Sequence, residues 1–264
     1  HSFPTRRSSD LALMRCSKIR SADIVSFARD LAAGGRTPQT VSNYLSHLAA
    51  TFAVARPAWG YPLDPQQMAD AVTVAKRLGI TSRSRSRDRR PTIEELNRLI
   101  EHFDRRRSNA VPMSEVIRFA IFSTRRQDEI TRLAWADLDV EHSRILVRDM
   151  KHPGEKIGND HWLDLPPEAM DTIQRQPRKG DRIFPYSTDA ITASFTRACK
   201  LLGIEDLHFH DLRHDGVSRL FEMGWTIPQV AMVSGHRSWQ SLKRYTHIRE
   251  RGDKYADWAK KDPR

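Results

Sequence analysis

The segment from Thr81 to Pro91 constrains the fold most, because it has no side chain suited to a hydrophobic core. It consists of serine, threonine, arginine and one aspartate before its closing proline. A polar, strongly basic stretch that ends in proline is typical of a linker. We therefore predict a linker over 81–91, between a domain at 12–80 and a second domain at 92–264.

The part before this linker has a purely helical pattern. Apolar residues recur on one face of 21–33, and two glycines follow. A second helix starts at Thr37 with Pro38 at its first position, and Pro57 is expected to end it. A third runs from Asp64 to about Gly79. These signals predict a small all-helical domain.

The first residues need a separate interpretation. Residues 1–11 match the translation of a sequencing-library adapter. We expect them to be an artefact and exclude them from functional reasoning, which also places the natural N-terminus in doubt.

The part after the linker alternates helical patterns with a short strand-rich interval. A capping-box-like Thr92 and Glu95 start the first helix. Strand-like runs follow at 138–140, 144–148 and 162–165. The sequence therefore predicts an α+β domain, mainly α, with a small antiparallel sheet. Further helices are expected at 167–175, 189–202, 210–223, 227–234 and 239–246.

The charge of the chain favours an anionic polymer as partner. The formal net charge is +11 and the pI is about 10.0. Residues 1–90 carry a net +9 and residues 91–264 only +2. Improved solubility is the alternative explanation. We expect the linker arginines to lie along a phosphate backbone, although a solvated tether would have the same composition: Arg83, Arg85, Arg87, Arg89 and Arg90.

Cysteine usage and hydropathy bear on the compartment. The two cysteines, Cys16 and Cys199, imply no disulfide framework and fit a reducing cytoplasm. The sequence has no apolar run near the roughly 18 residues of a membrane span. We expect a cytoplasmic protein without a membrane partner.

The segment from Gly235 to His247 offers nucleophilic chemistry. It places His236 nine residues before Tyr245. Attack on a phosphodiester needs an activated oxygen, cationic donors for the phosphoryl group and an acid for the leaving oxygen. His210 and Arg213 share a helix face at i and i+3. Alone, each feature is weak evidence, since a lone tyrosine is usually a packing residue.

Taken together, these motifs resemble the tyrosine recombinase (phage integrase) family. The residues 123–130 (STRRQDEI) look like that family's first arginine box, and 210–214 (HDLRH) look like its second. The segments 234–238 (SGHRS) and 243–247 (KRYTH) look like the third box and the nucleophile segment. The resemblance covers the chain from about residue 21 and implies a helical core-binding domain followed by the family's catalytic domain.

The resemblance also implies roles. Tyr245 would attack the scissile phosphate and form a 3′-phosphotyrosyl link. Arg126 and Arg213 would bind the non-bridging oxygens, His236 would donate a further hydrogen bond, and His210 would act in proton transfer around the tyrosine. No metal or other cofactor is implied.

Two of these roles, those of the lysine and of the first-box arginine, could each be filled by a second residue of the same type nearby. The family's lysine, which protonates the leaving 5′ oxygen, matches Lys151, with Lys156 in the same turn as the alternative. In the first box, the three-residue step to Glu129 selects Arg126 over Arg125. Glu129 could orient that arginine or cap a neighbouring backbone.

The chain departs from the family pattern at two positions. Thr124 replaces the glycine that is usual in the first box, and we expect no effect on chemistry because the arginine is retained. Gly216 replaces a small residue such as alanine, which we interpret as a mild change.

The function that follows is site-specific DNA recombination for integration or excision of a mobile element, without metal or ATP. The alternatives are a type IB topoisomerase and a catalytically inactive DNA-binding protein. A metal site at His208, His210 and His214 is a further alternative, although zinc-finger spacing is absent from the sequence.

By resemblance, the partners are double-stranded DNA and further copies of the chain. We expect a monomer in solution and a homo-tetramer on DNA. The tail 248–264, with Tyr255 and Trp258 as apolar anchors, could dock on a neighbouring subunit or pack within its own.

Overall fold

The computed structural model describes residues 10–83, 87–105, 111–151 and 158–258. Contacts between Cα atoms divide the chain into two compact units, the first ending at Ser86 and the second beginning at Arg87. This division falls inside the predicted linker 81–91. Residues 1–9 of the adapter-like segment lie outside the described residues, as do Arg85 and Lys156.

The first unit is helical throughout its described regular structure. Thr37 begins the second helix by accepting a hydrogen bond on its hydroxyl from the Thr40 backbone N–H, 3.3 Å away, and Pro38 is the first helical residue. A common core buries Ile24, Val41, Phe52 and Ala71 almost completely. The helices are α1 (Ser21–Ala33), α2 (Pro38–Trp59) and α3 (Pro65–Arg77).

The second helix runs past the proline that was predicted to end it. Pro57 lies inside the last turn of α2, which continues to Trp59. Gly60 then adopts a left-handed φ of 71°, and its N–H donates to the Arg56 carbonyl at 3.0 Å. The glycine cap ends the helix, because a proline this near the end disturbs only the final turn.

The second unit begins with a helix that has the expected capping box. The Glu95 carboxylate accepts from the Thr92 N–H at 2.9 Å, and the Thr92 hydroxyl accepts from the Glu95 N–H at 3.1 Å. The helices of this unit within the described residues are α4 (Ile93–Asp104), α5 (Met113–Ser123), α6 (Gln127–Arg132), α7 (Pro167–Gln174), α8 (Thr188–Leu201), α9 (Phe209–Glu222), α10 (Ile227–Ser234) and α11 (Trp239–Leu242).

A small sheet lies between α6 and α7 in the chain. Its strands are antiparallel in the order β1 (Leu138–Asp139), β2 (Arg144–Val147) and β3 (His161–Asp164). Ile145 pairs with both Leu138 and Leu163 and is fully buried in the unit's core. The predicted fold class, mainly α with a small antiparallel sheet, is confirmed.

The packing of α9 on α5 positions the first turns of α9. Gly216 of α9 lies so close to α5 that a Cβ atom added to it would be 2.1 Å from the Ile121 carbonyl oxygen. Interpreting Gly216 as a mild departure was therefore incorrect, because no side chain fits at this spacing. The glycine brings the start of α9 beside Thr124, at the end of α5.

Candidate active site

The first turns of α9 present three polar side chains on one side of the helix. His210, Arg213 and His214 are spaced i, i+3 and i+4, so they project from the same face. We call this the basic side of α9. Arg213 is buried, whereas His210 is exposed and His214 is half-buried.

Arg213 is held in place by uncharged partners. Its Nη1 donates to the Thr124 carbonyl, and its Nη2 donates to the Ser234 carbonyl at 3.0 Å. These bonds join α9 to the ends of α5 and α10. Since the partners carry no negative charge, the guanidinium keeps its positive charge available to an anion.

His236 lies against this guanidinium. Its Nε2 is 3.3 Å from Arg213 Nη2, and its Nδ1 is 2.7 Å from the Ser234 hydroxyl oxygen. The preceding Gly235 ends α10 with a left-handed φ of 68°, and a Cβ there would lie 2.6 Å from the Met150 methyl group. The left-handed φ favours glycine at 235, and the turn made there brings His236 beside Arg213.

The first arginine box lies in the turn between α5 and α6. Thr124 adopts a left-handed φ of 55°, a conformation that favours glycine and costs about 1 kcal/mol for other residues. Arg126 follows and donates from Nη1 to the Glu129 carboxylate at 2.6 Å, while its backbone N–H bonds to the same carboxylate at 3.1 Å. Glu129 therefore both orients the arginine side chain and caps α6.

The neighbouring Arg125 has a different role. Its side chain is 1% exposed, against 29% for Arg126. Its Nη2 donates to the Val233 carbonyl in α10, and its Nε donates to the Ser123 carbonyl at 3.1 Å. Arg125 thus joins α5 to α10, and the choice of Arg126 as the phosphate-binding residue agrees with these exposures while staying a prediction.

Tyr245 is buried, with its ring in a small apolar cluster and its hydroxyl at the edge. The ring stacks on Phe221, with centroids 5.9 Å apart and planes 9° from parallel. The hydroxyl oxygen lies 2.6 Å from His214 Nδ1. The segment that carries Tyr245 begins with α11 and continues as a 3-10 turn over Lys243–Tyr245, where a single helix over 239–246 was predicted.

His210 does not share this hydrogen bond in the structure. Its ring contacts the His214 ring edge to face, with centroids 4.8 Å apart. The residue expected to assist the tyrosine thus lies one helical turn before the histidine that contacts the hydroxyl. The role of His210 in proton transfer stays a prediction.

Lys151 is exposed at the start of the turn between β2 and β3. The described part of this turn is anchored by Asn159, whose amide donates to the Met150 carbonyl at 2.5 Å. The same Asn159 accepts from Arg237 Nη1 at 2.9 Å. The turn that carries Lys151 is therefore tied to the residue after His236. The choice between Lys151 and Lys156 stays open.

Burial and mutual repulsion shift the pKa values of the basic groups downwards. Burial, and then the nearby Arg126 and Arg125, lower the pKa of Arg213. Burial and the Arg213 charge lower the pKa of His236 to about 3. Burial would raise the pKa of Glu129, but the charges of the surrounding arginines outweigh it and hold that pKa below its usual value. Crowded positive charge of this kind is relieved by an anionic ligand.

Tyr245 is protonated in this arrangement. Burial raises the pKa of its hydroxyl, and the charges of Arg244 and Arg213 oppose that shift without cancelling it. Tyr245 in turn affects the pKa of Arg213. The nucleophile candidate and the predicted phosphate-binding arginine are thus close enough to interact electrostatically.

Three of the linker arginines are bound to carboxylates of their own unit. Arg87 pairs with Asp206 and Asp211 at 2.8 and 2.9 Å, and Arg89 pairs with Glu95. Arg90 pairs with Asp215 and Glu222 at 2.6 and 2.7 Å. Neither a solvated tether nor a free basic patch describes these three, because their charge is offset within the unit. Arg83 is exposed. DNA contact by these arginines stays a prediction.

The tail residues up to 258 pack within their own chain. Tyr255 is fully buried and donates its hydroxyl hydrogen to Asp215. Trp258 is 5% exposed and donates from Nε1 to Asn97 at 2.8 Å, with Arg118 over its ring. Both predicted apolar anchors are therefore used in cis here. Residues 259–264 lie outside the described residues.

Sequence reasoning missed several residues that shape this site. His214 follows Arg213 directly and was considered only as a metal ligand, although its i+4 spacing from His210 indicated a shared face. Arg125 was treated as a competitor for one role. Asn159 carried no recognisable signal, because its importance arises from contacts with Met150 and Arg237 that are distant in sequence.

Among the described residues, no group of three or more histidine, cysteine, aspartate or glutamate side chains is arranged to hold a metal ion. Likewise, no described helix combines the length and apolar character that crossing a bilayer requires.

Comparison with known proteins identifies the family. The model described as "Phage integrase family" matches residues 89–251, more than half of the chain. The chain belongs to the phage integrase family. This tyrosine recombinase family is the one that the arginine boxes and the tyrosine segment resemble.

Two curated family members illustrate the similarity. The shufflon-specific DNA recombinase of Escherichia coli is 32% identical over 249 residues, which cover 90% of this chain and 60% of that protein. A putative integrase/recombinase of Haemophilus influenzae is 25% identical, over 75% of this chain and 63% of that protein. The chain therefore spans about three fifths of the length of these relatives.

Solved integrase structures share the fold. A lambda integrase dimer bound to a COC′ core site superposes with a TM-score of 0.66 at 18% identity, covering 90% of this chain and 83% of that one. The Tn1549 transposon integrase in complex with a circular intermediate DNA gives a TM-score of 0.63 at 15% identity, covering 92% and 85%. At these identities the likeness supports the fold alone.

Proposed function

We propose that this protein is a site-specific DNA recombinase that cleaves and rejoins double-stranded DNA through a covalent link to Tyr245. One observation carries the proposal. A buried tyrosine hydroxyl lies within electrostatic range of Arg213, whose own partners are uncharged and which is bonded to His236. Family membership and the names of the relatives support the same function.

The chemistry is a transesterification that needs no external energy source. The Tyr245 oxygen forms a bond to the scissile phosphorus and loses its proton to a base, for which the family resemblance suggests His210, while the bond from phosphorus to the 5′ oxygen breaks. The leaving 5′ oxygen takes up a proton, for which Lys151 is our candidate donor. Arg126, Arg213 and His236 stabilise the charge that builds on the non-bridging oxygens.

The wider setting is part of the proposal. We expect a monomer in solution and a tetramer on two DNA sites in a bacterial cytoplasm, acting on a mobile element and independent of metal and ATP. Tail exchange between subunits would require Tyr255 and Trp258 to leave their cis positions, so it would accompany assembly on DNA.

The test uses DNA without assuming a recognition sequence. A pool of nicked duplexes with randomised centres is incubated with the protein in EDTA, denatured in detergent and analysed for protein-bound DNA. The wild type should form adducts that share a sequence when recovered. Tyr245→Phe should form none, and Tyr186→Phe, a half-buried tyrosine of the same unit, should match the wild type.

Three results would count against the proposal. Adducts with Tyr245→Phe would exclude the nucleophile, and loss of adducts in EDTA would exclude the metal-free mechanism. Adducts without a shared sequence, combined with relaxation of supercoiled plasmid, would favour a type IB topoisomerase.

A further inference from the structure

His214 is the side chain in direct contact with the candidate nucleophile. The Tyr245 hydroxyl oxygen and His214 Nδ1 are 2.6 Å apart, which is a short hydrogen bond. No role for His214 follows from the family resemblance, which places proton transfer around the tyrosine on His210. The contact therefore raises the question of what His214 does.

Packing fixes both partners of this bond. The Tyr245 ring stacks on Phe221 and belongs to an apolar cluster with Val217 and Leu242, so its hydroxyl can reach only what lies at the cluster's edge. His214 is placed there by α9, one residue after Arg213. Edge-to-face contact with His210 holds the other side of the imidazole.

We propose that His214 positions the Tyr245 hydroxyl and accepts its proton when the tyrosine attacks DNA. The inference deepens the proposed function and rests on it. In this step the O–H bond of Tyr245 breaks and its proton moves to His214 Nδ1, while the Tyr245 oxygen forms its bond to phosphorus. The proton returns to the tyrosine when the DNA strand is rejoined.

The electrostatic environment of His214 supports an acceptor role at neutral pH. Burial, and then His210 and Arg244, lower the pKa of His214 to about 4. The ring is thus neutral near pH 7, and one of its nitrogens is a free acceptor. A phosphate placed beside Arg213 would add negative charge, which favours the protonated imidazole as the reaction proceeds.

A first experiment examines the contact without DNA. The ring nitrogen resonances of His214 are assigned in labelled full-length protein by their loss in His214→Asn. Tyr245→Phe removes the hydroxyl and should shift the His214 Nδ1 resonance, whereas Tyr186→Phe should leave it in place. An unchanged Nδ1 resonance in Tyr245→Phe would overturn the inference.

A second experiment separates nucleophile activation from leaving-group protonation. The duplex recovered from the adduct assay is prepared with a 5′-bridging phosphorothiolate at the cleavage site, because a thiolate leaves without an acid. His214→Phe should cleave both substrates about 100-fold more slowly than the wild type, a typical loss for a general base. Lys151→Ala should be slow on the ordinary DNA and restored on the phosphorothiolate.

Two further variants complete the design. His214→Asn can keep a hydrogen bond near the Nδ1 position but cannot accept a proton, so it should cleave slowly while retaining the wild-type melting temperature. His208→Phe, an exposed histidine just before α9, is the matched control and should cleave normally.

The outcomes distinguish proton acceptance from Tyr245 from protonation of the leaving 5′ oxygen. Rescue of His214→Phe by the phosphorothiolate would place its action on the leaving oxygen and overturn the inference. If His214→Asn cleaves DNA near the wild-type rate, His214 does not accept the proton, and the proposal is contradicted. If the wild type forms no adduct with any DNA, the proposed function fails, and the resonance experiment still decides the contact.

Discussion

Two sides of α9 carry opposite charge, and they differ in whether that charge is paired within the molecule. The basic side has His210, Arg213 and His214, and Arg213 there bonds to carbonyls and to His236. The other side, which we call the acidic side, has Asp211, Asp215 and Glu222 at i, i+4 and i+11. Each of these carboxylates is paired with a cation: Arg87, Arg90 or Lys254.

The difference separates the candidate site from the contacts that assemble the chain. On the acidic side, opposite charges are matched within the molecule and hold the segment 87–90 and the tail against α9. On the basic side, Arg213 forms no ion pair with a carboxylate among the described residues, which suits an anionic ligand. One helix thus anchors the ends of its unit and supplies the site.

The largest expected effect comes from the basic side. Arg213→Lys keeps the charge but loses the planar fork that bonds Thr124, Ser234 and a phosphate together. We expect adduct formation to fall about 10²–10³-fold, because the lost bonds strengthen as phosphoryl charge develops. DNA affinity, measured by gel shift, should change much less.

Arg219→Lys is the matched control on the same helix. Arg219 is 2% exposed and paired with Glu168 and Asp253 at 2.5 and 2.7 Å. We expect a lower melting temperature with cleavage near the wild-type rate. If Arg213→Lys and Arg219→Lys lose cleavage equally, the two sides of α9 do not differ in function as we expect.

The next effect concerns the third side of α9, which packs on α5. Gly216→Ala would place a Cβ 2.1 Å from the Ile121 carbonyl oxygen and force the helices apart. We expect the free energy of unfolding to fall by about 3 kcal/mol, at the upper end for overpacking. Gly203→Ala, with open space at a φ of 63°, should cost about 1 kcal/mol. Urea denaturation compares them, and equal losses would contradict the close approach.

A smaller effect is expected on the acidic side. Asp215 is fully buried and contacts Arg90, Lys254 and Tyr255. Asp215→Asn keeps an acceptor but removes the charge that strengthens its bonds to two partly exposed cations, so we expect a loss of about 2 kcal/mol in unfolding free energy. The tail should become more sensitive to protease. Unchanged proteolysis would show that Asp215 does not anchor the tail.

The smallest effect is a dependence of stability on pH at His236. Its folded pKa is about 3, below the ordinary 6.5, so its contribution is complete above pH 6.5 and is lost as the pH falls towards 3. We expect a loss on the order of 1 kcal/mol between pH 7 and 5 at this partly exposed ring. His236→Asn should flatten that slope in urea titrations. An unchanged slope would mean that His236 is not buried as a neutral ring.

Sequence patterns predicted what depends on local order. The helices, the three short strands and the Thr92 capping box follow from periodicity, capping residues and turns close in sequence. The boxes around Arg126, Arg213, His236 and Tyr245 were recognisable because family members keep their order and spacing.

The remaining features depend on contacts between distant residues. The demand for glycine at 216 comes from the Ile121 carbonyl, which no pattern within α9 reveals. In the sequence, Arg87 and Arg90 have no acidic partner that a local pattern predicts. In the structure, Asp211 and Asp215 lie beside them. For the same reason, the sequence singled out His210 whereas the structure brings His214 to Tyr245.

The central claim, that Tyr245 becomes linked to DNA, can be measured directly. Adducts from the nicked duplex pool are digested with nuclease and protease, and the peptide that contains Tyr245 is examined by mass spectrometry. We expect a nucleotide joined through its 3′ phosphate to the Tyr245 oxygen. A nucleotide on another residue, or an unmodified Tyr245 in isolated adducts, would contradict it.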